Sequence, residues 1–550
     1  MKKIFQNKKM QKIAFIAILF LIFSIGAFAR FWQLNEIPPG LHYDEAYNGI
    51  DAVKALENKD FKVFYPGNNG REGLYINTLA LFLDNFGVSN FSLRMASSLF
   101  GLFTLVGFFL LLRELRFSKI SILLGVLLIA TSFWHINFSH IVYRGIMAPF
   151  LLVWILWLFF LGLRKNNIWI LASSGALLGV GFHTYISFRV APLIIVIIAG
   201  ALFWIKKGFF KKYWKGAAVF LLASLIVASP IFYYFYQNQD QLVGRSNDVS
   251  VFNAPGESFP VAFGKSLLAH LNAFYTFGDP NQRHNHAASP LIPPAWTALF
   301  TLGFIFSLKE IFKTFYGKIK KKEISTHLFV PAVVAQSVFW VMLIPGVLSI
   351  EGIPHSLRII GVIPAVFIFT VLPFEYMNKL KNSIKNSPDF ELKPKRFKAL
   401  IFSLSGLVVI VFLAGITEVY TYYFVWSKEP ETLNSFARKK YEFGKAIKEL
   451  PTKKDNFLVI PEGSHISSDR KSSSFKSAEF SGYPEIKNFL FIRSVEVLKN
   501  GKCENTLYVF FEMDEWLRNG FKEKCPKAEF QKKSIKDGYY DFWVMEAERT

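Results

Sequence analysis

The sequence predicts an all-α polytopic membrane protein with about 11 transmembrane helices, followed by a small α/β domain. Three observations carry that expectation. The 550 residues are 52% hydrophobic and 17% aromatic but only 19% charged, with a mean hydropathy of +0.30, which is too apolar for an ordinary soluble or disordered chain. Apolar stretches of span length recur up to residue 425, separated by short Lys-rich punctuation. From Ser427 the composition turns to mixed charged and apolar. The expected division is a membrane module over 1–425 and a separate domain over 426–550.

About 20 apolar residues, in a helix rising about 1.5 Å each, cross a bilayer core of about 30 Å. The stretches that qualify are 12–32, 91–112, 120–137, 145–163, 168–186, 188–205, 216–236, 292–308, 327–349, 357–378 and 399–425. The first follows MKKIFQNKKMQK, a start that signal peptides share, but its apolar run is too long and lacks a small-residue cleavage site before RFWQLNEIPPG. An uncleaved span is expected there. With the N-terminus inside, the loops Arg113–Lys119, Arg164–Asn167, Lys206–Lys215, Lys309–Glu323 and Lys379–Lys398 are all basic and all fall on one side. The alternate loops carry isolated arginines or a net acidic mix, as in residues 33–72. The positive-inside rule then predicts a multi-pass protein of the cytoplasmic membrane with its N-terminus in the cytoplasm.

That alternation also explains why 63 Lys+Arg stand against 40 Asp+Glu. In a soluble protein the excess would raise nucleic acid as a partner; here it is a topology signal and no nucleic acid is expected. Residues 73–86, GLYINTLALFLDNF, are apolar but short, and counting them as a crossing would invert every later loop. A membrane-surface or re-entrant helix is expected. The loops 33–90 and 237–291 and everything after about 426 then share the extracytoplasmic face.

The tail alternates strand-like runs (NFLVI, FLFIRSVEVL, TLYVFF, YYDFWVM) with helix-like stretches (TLNSFARKKYEFGKAIKEL, EWLRNGFKEKC). Such alternation points to an α/β domain large enough to hold its own core. The Ser-rich SSDRKSSSFKS reads as a loop. Cys503 and Cys525, the only cysteines, form either one disulfide on an oxidising face, worth about 3 kcal/mol, or two thiols.

Arg94, His140, Arg144, His183, Arg189, Arg358 and Glu418 all sit near the outer ends of spans, whereas mid-depth holds almost no ionisable residue. Ion pumps and secondary transporters place such groups near the midplane, so chemistry at the outer interface is favoured. Neither a Walker A nor a dinucleotide fingerprint occurs, which argues against an ATP-driven pump or a Rossmann-type nucleotide-sugar enzyme. After the first span comes NEIPPGLHYDEAYNGIDAVKALENKD, where PPG makes a turn and a helical pattern follows Asp44. The plain reading makes Asp44 a helix N-cap, with Glu45 complementing the dipole. The alternative is a carboxylate pair placed for chemistry just outside a span. GNNGREGLYINT follows, with Arg71 in a Gly-rich turn, and GVSNFSLRMASSLFG then places Arg94 at the top of the next span.

The order PPGLHYDEAYNG, GREGLYI and GVSNFSLRMASSLFG resembles the first outer loop and second span of glycosyltransferase family 39-like membrane enzymes of the GT-C superfamily, which include protein O-mannosyltransferases and the bacterial aminoarabinose transferases of lipid A. GDPNQRHN at 278–285 and IPHSLR at 353–358 resemble outer-loop motifs of the bacterial branch, so the resemblance spans roughly residues 10–425. It implies a GT-C fold and inverting transfer of a sugar from a polyprenyl-phosphate donor to an acceptor protein, lipid or envelope glycan, among membrane lipids. It also implies that Asp44 is the general base and that Arg71 stands where aminoarabinose transferases have a phosphate-binding lysine, although Arg-Glu-Gly here replaces their Lys-Pro-Pro. Arg358 is a second candidate for the donor phosphate. Glu45 either holds the acceptor, orients Asp44 or caps the helix. Arg94, Arg144, His183, Tyr185 and Arg189 are candidates to line the substrate pocket, the alternative for those near span ends being interfacial anchoring. Asp279, Asn281, Arg283, His284 and His286 are candidates for sugar or a possible divalent metal ion, Asp279 having a turn role as its alternative, and His355 in IPHSLR is a candidate for substrate binding. Asp279 with His284 and His286 lacks the helical spacing of a firm zinc motif. A different class, a transporter or flippase of a lipid-linked saccharide, is the competing reading.

Overall fold

The computed structural model describes residues 8–321, 327–385, 394–467, 470–535 and 540–547. The first seven residues of the basic start, residues 322–323 and 386–393 of two basic loops, Ser468 and Asp469 of the Ser-rich run, and Tyr539 of the last expected strand lie outside the described residues. The chain forms two compact units, one of Met1–Trp32, Lys62–Tyr75 and Arg94–Trp426, the other of Gln33–Phe61, Ile76–Leu93 and Ser427–Thr550. Within the loop after the first span, residues 33–61 and 76–90 group with the tail, and residues 62–75 with the membrane spans.

In chain order the helices up to the first outer loop are α1 (Lys8–Phe31) and α2 (Tyr43–Asn58), followed by a ribbon of β1 (Phe64–Tyr65) and β2 (Arg71–Glu72) and by α3 (Gly73–Phe86). Then come α4 (Asn90–Glu114), α5 (Lys119–Thr131), α6 (Phe133–His140), α7 (Met147–Lys165), α8 (Ile168–Gly181), α9 (Pro192–Ile205) and α10 (Phe209–Gln237). After α11 (Gln239–Asp248) and α12 (Phe259–Asn272), the long helices α13 (Pro294–Ile319), α14 (Phe329–Val347), α15 (Ile363–Lys385) and α16 (Pro394–Tyr420) complete the bundle.

Each of the expected spans is helical. Among the described residues, 9 helices are long and apolar enough to cross a membrane, and α5 with α6 makes a tenth if that bent pair is one span. The remaining stretch, expected over 168–186, is α8 with 14 residues, whose rise of about 21 Å falls short of the hydrocarbon core. The α5–α6 pair corrects the expected unbroken span at 120–137: it bends by 51° at Ser132. Local hydrogen bonds explain the break. Ser132 caps α6 by accepting from the His135 N–H, and Glu418 Oε2 accepts from the Phe133 N–H at 3.0 Å, so donors freed at a helix start are met inside the bundle. α3 also has 14 residues, in keeping with a segment too short to cross.

Spans pack where small residues let backbones meet. A Cβ on Gly175 of α8 would come within 2.0 Å of the Phe220 carbonyl of α10, and one on Gly179 within 2.5 Å of the Ser224 carbonyl, the close small-residue approach that association in lipid favours.

In the other unit, α17 (Pro430–Ser435) and α18 (Arg438–Ile447) lead into a five-stranded sheet. Its remaining elements are β3 (Asp455–Ile460), α19 (Lys476–Ser481), β4 (Leu490–Arg493), α20 (Ser494–Asn500), β5 (Thr506–Phe510), α21 (Glu515–Lys524), β6 (Phe530–Ser534) and β7 (Asp541–Ala547). The order is β4-β3-β5-β7-β6, with β4, β3 and β5 parallel and the β7 and β6 edge antiparallel. Alternation places Leu458, Ile460, Leu507 and Val509 on one face with Phe443 and Ile447 of α18, and Val459, Tyr508 and Phe510 on the other with Val497, Leu517 and Phe521 of α20 and α21. The run FLFIRSVEVL proves half strand and half helix, and the Ser-rich run enters a helix at Lys476 instead of staying a loop. Cys503 and Cys525 form a disulfide with their Cα atoms 5.6 Å apart.

Candidate functional site

Asp44 is not the cap of its helix. The N-cap of α2 is His42, whose ring accepts from the Asp44 N–H at 3.2 Å, while Glu45 Oε2 reaches back to accept from the His42 N–H at 2.9 Å. This reciprocal box meets two donors at the helix start. It binds the fully buried Glu45 to the backbone. The Asp44 side chain, 26% exposed, has Oδ2 3.5 Å from His42 Nδ1. The expected N-cap role thus passes to His42.

In the membrane unit, the β1–β2 ribbon pairs Phe64 with Glu72 and Tyr65 with Arg71 across a turn that closes at Gly70 (φ +77°). Arg71 is buried, and its Nε donates to the Gly67 carbonyl at 3.2 Å. Its neighbour Glu72, 2% exposed, gathers two distant arginines: Arg144 Nε donates to Oε2 and Arg189 Nη2 to Oε1, both at 3.1 Å. Arg144 also donates to the Gly70 carbonyl and lies over the Tyr185 ring, while Arg189 donates to the Leu242 carbonyl and lies over the Phe235 ring. Arg144, Tyr185 and Arg189 therefore converge as expected candidates, but on a carboxylate that sequence reasoning passed over. The available signal was its strand neighbour: alternation turns Arg71 and Glu72 to opposite faces. Arg189 also borders an apolar groove of about 620 Å³ lined by Phe182, Ile231, Phe232, Phe235 and Leu242.

A second group forms between loops of the same unit. Asp279 Oδ1 accepts from the Asn281 N–H at 2.8 Å, the expected turn, while Oδ2 accepts from the Ser356 N–H at 2.7 Å and the Ser356 hydroxyl at 2.8 Å. His284 Nδ1 lies 3.3 Å and His355 Nδ1 3.8 Å from that same oxygen. Burial alone would raise the Asp279 carboxyl, yet the hydrogen bond and charge of His284 outweigh it and hold the group well below the usual carboxylate range. Burial lowers the basicity of His355. His286 does not join; its ring packs beside Phe133. Arg283 bridges Asn281 Oδ1 and the Tyr143 hydroxyl.

The remaining candidates are tied into the structure. Arg358 is held by Glu351, with Nη2 on its carboxylate at 2.5 Å and Nη1 on its carbonyl at 3.0 Å. His183 Nε2 donates to the Val227 carbonyl at 2.9 Å, which ties it to a neighbouring helix. Arg94 is fully buried in α4.

Among the described residues, one group fits a metal ion: Asp279, His284 and His355, whose ligand atoms all lie within 4.8 Å of one another. Tetrahedral bonds of about 2.0–2.1 Å set ligand atoms about 3.4 Å apart, close to the 3.3 and 3.8 Å found here. His355 Nδ1 is buried without a hydrogen-bond partner, as an atom awaiting a ligand would be.

Residues 74–234 match the family model of dolichyl-phosphate-mannose-protein mannosyltransferase. No curated protein matches the chain. Among solved structures, ArnT from Cupriavidus metallidurans bound to undecaprenyl phosphate is similar over 98% of both chains, with a TM-score of 0.50 at 11% identity. The Archaeoglobus fulgidus oligosaccharyltransferase, tethered with an acceptor peptide containing the NVT sequon, is similar with a TM-score of 0.51 at 12% identity. The chain has the GT-C fold. The match to the archaeal protein covers 86% of this GT-C chain but 64% of the archaeal one, and at these identities the likeness concerns the fold.

Proposed function

We propose that the chain is an inverting GT-C glycosyltransferase that moves a sugar from a polyprenyl-phosphate donor to a hydroxyl-bearing acceptor on the extracytoplasmic face. The observation that carries this reading is the meeting of Arg144 and Arg189 on one buried carboxylate beside an apolar groove. An isoprenoid chain gains about 0.8 kcal/mol for each CH₂ kept in the bilayer, so its phosphate has to be met where apolar surface borders fixed cations.

In the reaction, Asp44 accepts the proton of the acceptor hydroxyl as that oxygen attacks the anomeric carbon. The bond from that carbon to the phosphate oxygen breaks on the opposite face, its electron pair leaves with the polyprenyl phosphate, and configuration inverts. The leaving group gains one negative charge. Arginines already held in place stabilise it without reorganising; Glu72 fixes the planes of Arg144 and Arg189, and the three together keep a net charge of about +1. Arg71 and Arg358 remain candidates for the same phosphate, the latter on release from Glu351.

The structure of ArnT with undecaprenyl phosphate supports a polyprenyl-phosphate donor, and the acceptor peptide of the archaeal protein supports peptide as one acceptor beside lipid and envelope glycan. The alternation of basic loops supports an N-terminus in the cytoplasm. A divalent ion, where required, would be held by Asp279, His284 and His355 and would supply positive charge and loop order; metal analysis of purified wild type against His355→Ala tests that assignment. The functional test is transfer of radiolabelled sugar from a panel of polyprenyl-phosphate donors by membranes carrying wild type or Asp44→Asn. Loss in the variant with lipid binding kept is expected. Equal transfer by both would remove Asp44 as base, and transport of lipid-linked saccharide without transfer would establish the flippase instead.

A further inference from the structure

The helix that carries Asp44 is gripped along its length by the C-terminal domain, within one compact unit. Ahead of the helix, Gly40 (φ +93°) lies so close to the turn between α17 and α18 that a Cβ there would come within 2.5 Å of the Phe436 carbonyl and 2.8 Å of Arg438 Cα. At mid-helix, a Cβ on Gly49 would stand 2.7 Å from the buried ring of Phe480 in α19, and the Lys476 ammonium lies 5.5 Å from the centre of the Tyr47 ring. At the far end, Glu57 accepts from the Tyr483 hydroxyl and the Lys487 ammonium. The last two contacts join residues 426 and 430 positions apart in the sequence.

Gly49 is costly for a helix interior unless something needs the space, and here the space is filled by Phe480. A helix of 16 residues is about 24 Å long, so a tilt of about 5° about its C-terminal end shifts the first turn by about 2 Å. Misplacement of a catalytic group by about 1 Å can lower a rate about 10²-fold. Resting on the assignment of Asp44 as base, we propose that the C-terminal domain is the positioning platform of the catalytic helix, with Phe480 against Gly49 as its central contact, and not a detachable module for acceptor choice.

The test compares full-length wild type, Gly49→Leu, Phe480→Ala and the double variant in detergent. Three readouts are taken: kcat and donor KM for sugar transfer, binding of polyprenyl phosphate, and amide exchange across residues 43–58. Leucine favours a helix more than glycine does, so a loss in Gly49→Leu reports the clash and not propensity. The expected result is a kcat at least about 10²-fold lower in Gly49→Leu, with donor KM and lipid binding unchanged, faster exchange in α2, and kcat substantially regained when Phe480→Ala opens the space. Wild-type kcat and exchange in Gly49→Leu would overturn the platform, as would a loss that the double variant does not relieve. If wild type transfers from no donor, or Asp44→Asn transfers fully, the functional reading fails instead, and the exchange data still decide whether Phe480 holds the helix.

Discussion

Glu72→Gln should destabilise the membrane unit and make it more dependent on an anionic ligand. The substitution keeps the shape of the side chain but removes the charge that faces both Arg144 and Arg189. Breaking a buried ion pair by neutralising one partner costs about 3–5 kcal/mol. Arg144 is 12% exposed and Arg189 23%, so the second contact is partly screened, and the amide oxygen still accepts one hydrogen bond; about 3 kcal/mol is expected. Denaturant unfolding of purified protein, followed by tryptophan fluorescence, measures the loss. Polyprenyl phosphate should offset more of it in the variant than it adds to wild type, because Arg144 and Arg189 then lack the charge of Glu72; a ligand at a hundred times its Kd contributes about 2.7 kcal/mol. Two results would refute the reasoning: a variant as stable as wild type, or an Arg144→Gln change that costs as much in the Glu72→Gln background as in wild type, since contacting residues must couple.

Glu45→Gln should keep transfer near wild type, since glutamine serves the same capping box, whereas Asp44→Asn should lose about 10²–10⁴-fold; parallel transfer assays separate the two carboxylates. Asp279, with its pKa held low in the folded protein, contributes stability that is full above the ordinary carboxylate value near 4 and is lost as pH falls below it. The stability difference between wild type and Asp279→Asn, measured with chelator present, should therefore shrink on acidification below about pH 4. Replacing Cys503 and Cys525 by serine should weaken the C-terminal domain by about 3 kcal/mol, read by unfolding of the full chain, and thiol titration of denatured wild type should find no free thiol.

The membrane bundle was legible because a span has to supply its own apolar length, and the motifs around Asp44 pointed to the GT-C fold. The break at Ser132 was hidden because TSFWHIN keeps its hydropathy while its compensating acceptor, Glu418, is 285 residues away. Capping preference pointed to Asp44, yet His42 took that place and Glu45 closed the box, a choice made by local geometry that residue type alone does not specify. Glu72 carried no signal of its own in the sequence, because its partners Arg144 and Arg189 come from the starts of later spans. His355 replaced His286 beside Asp279 for the same reason: a fold brings together loops that a spacing rule cannot connect.

The bend at Ser132 carries a consequence for how the protein is made. Until the last span has been inserted, Glu418 is absent and the Phe133 amide in the third span has no acceptor from it. A buried donor left unmet costs about 1–3 kcal/mol, so chains stopped before α16 should hold α5 and α6 in an unsettled arrangement. The last of these membrane helices thus supplies a hydrogen bond that the bend in the third span uses.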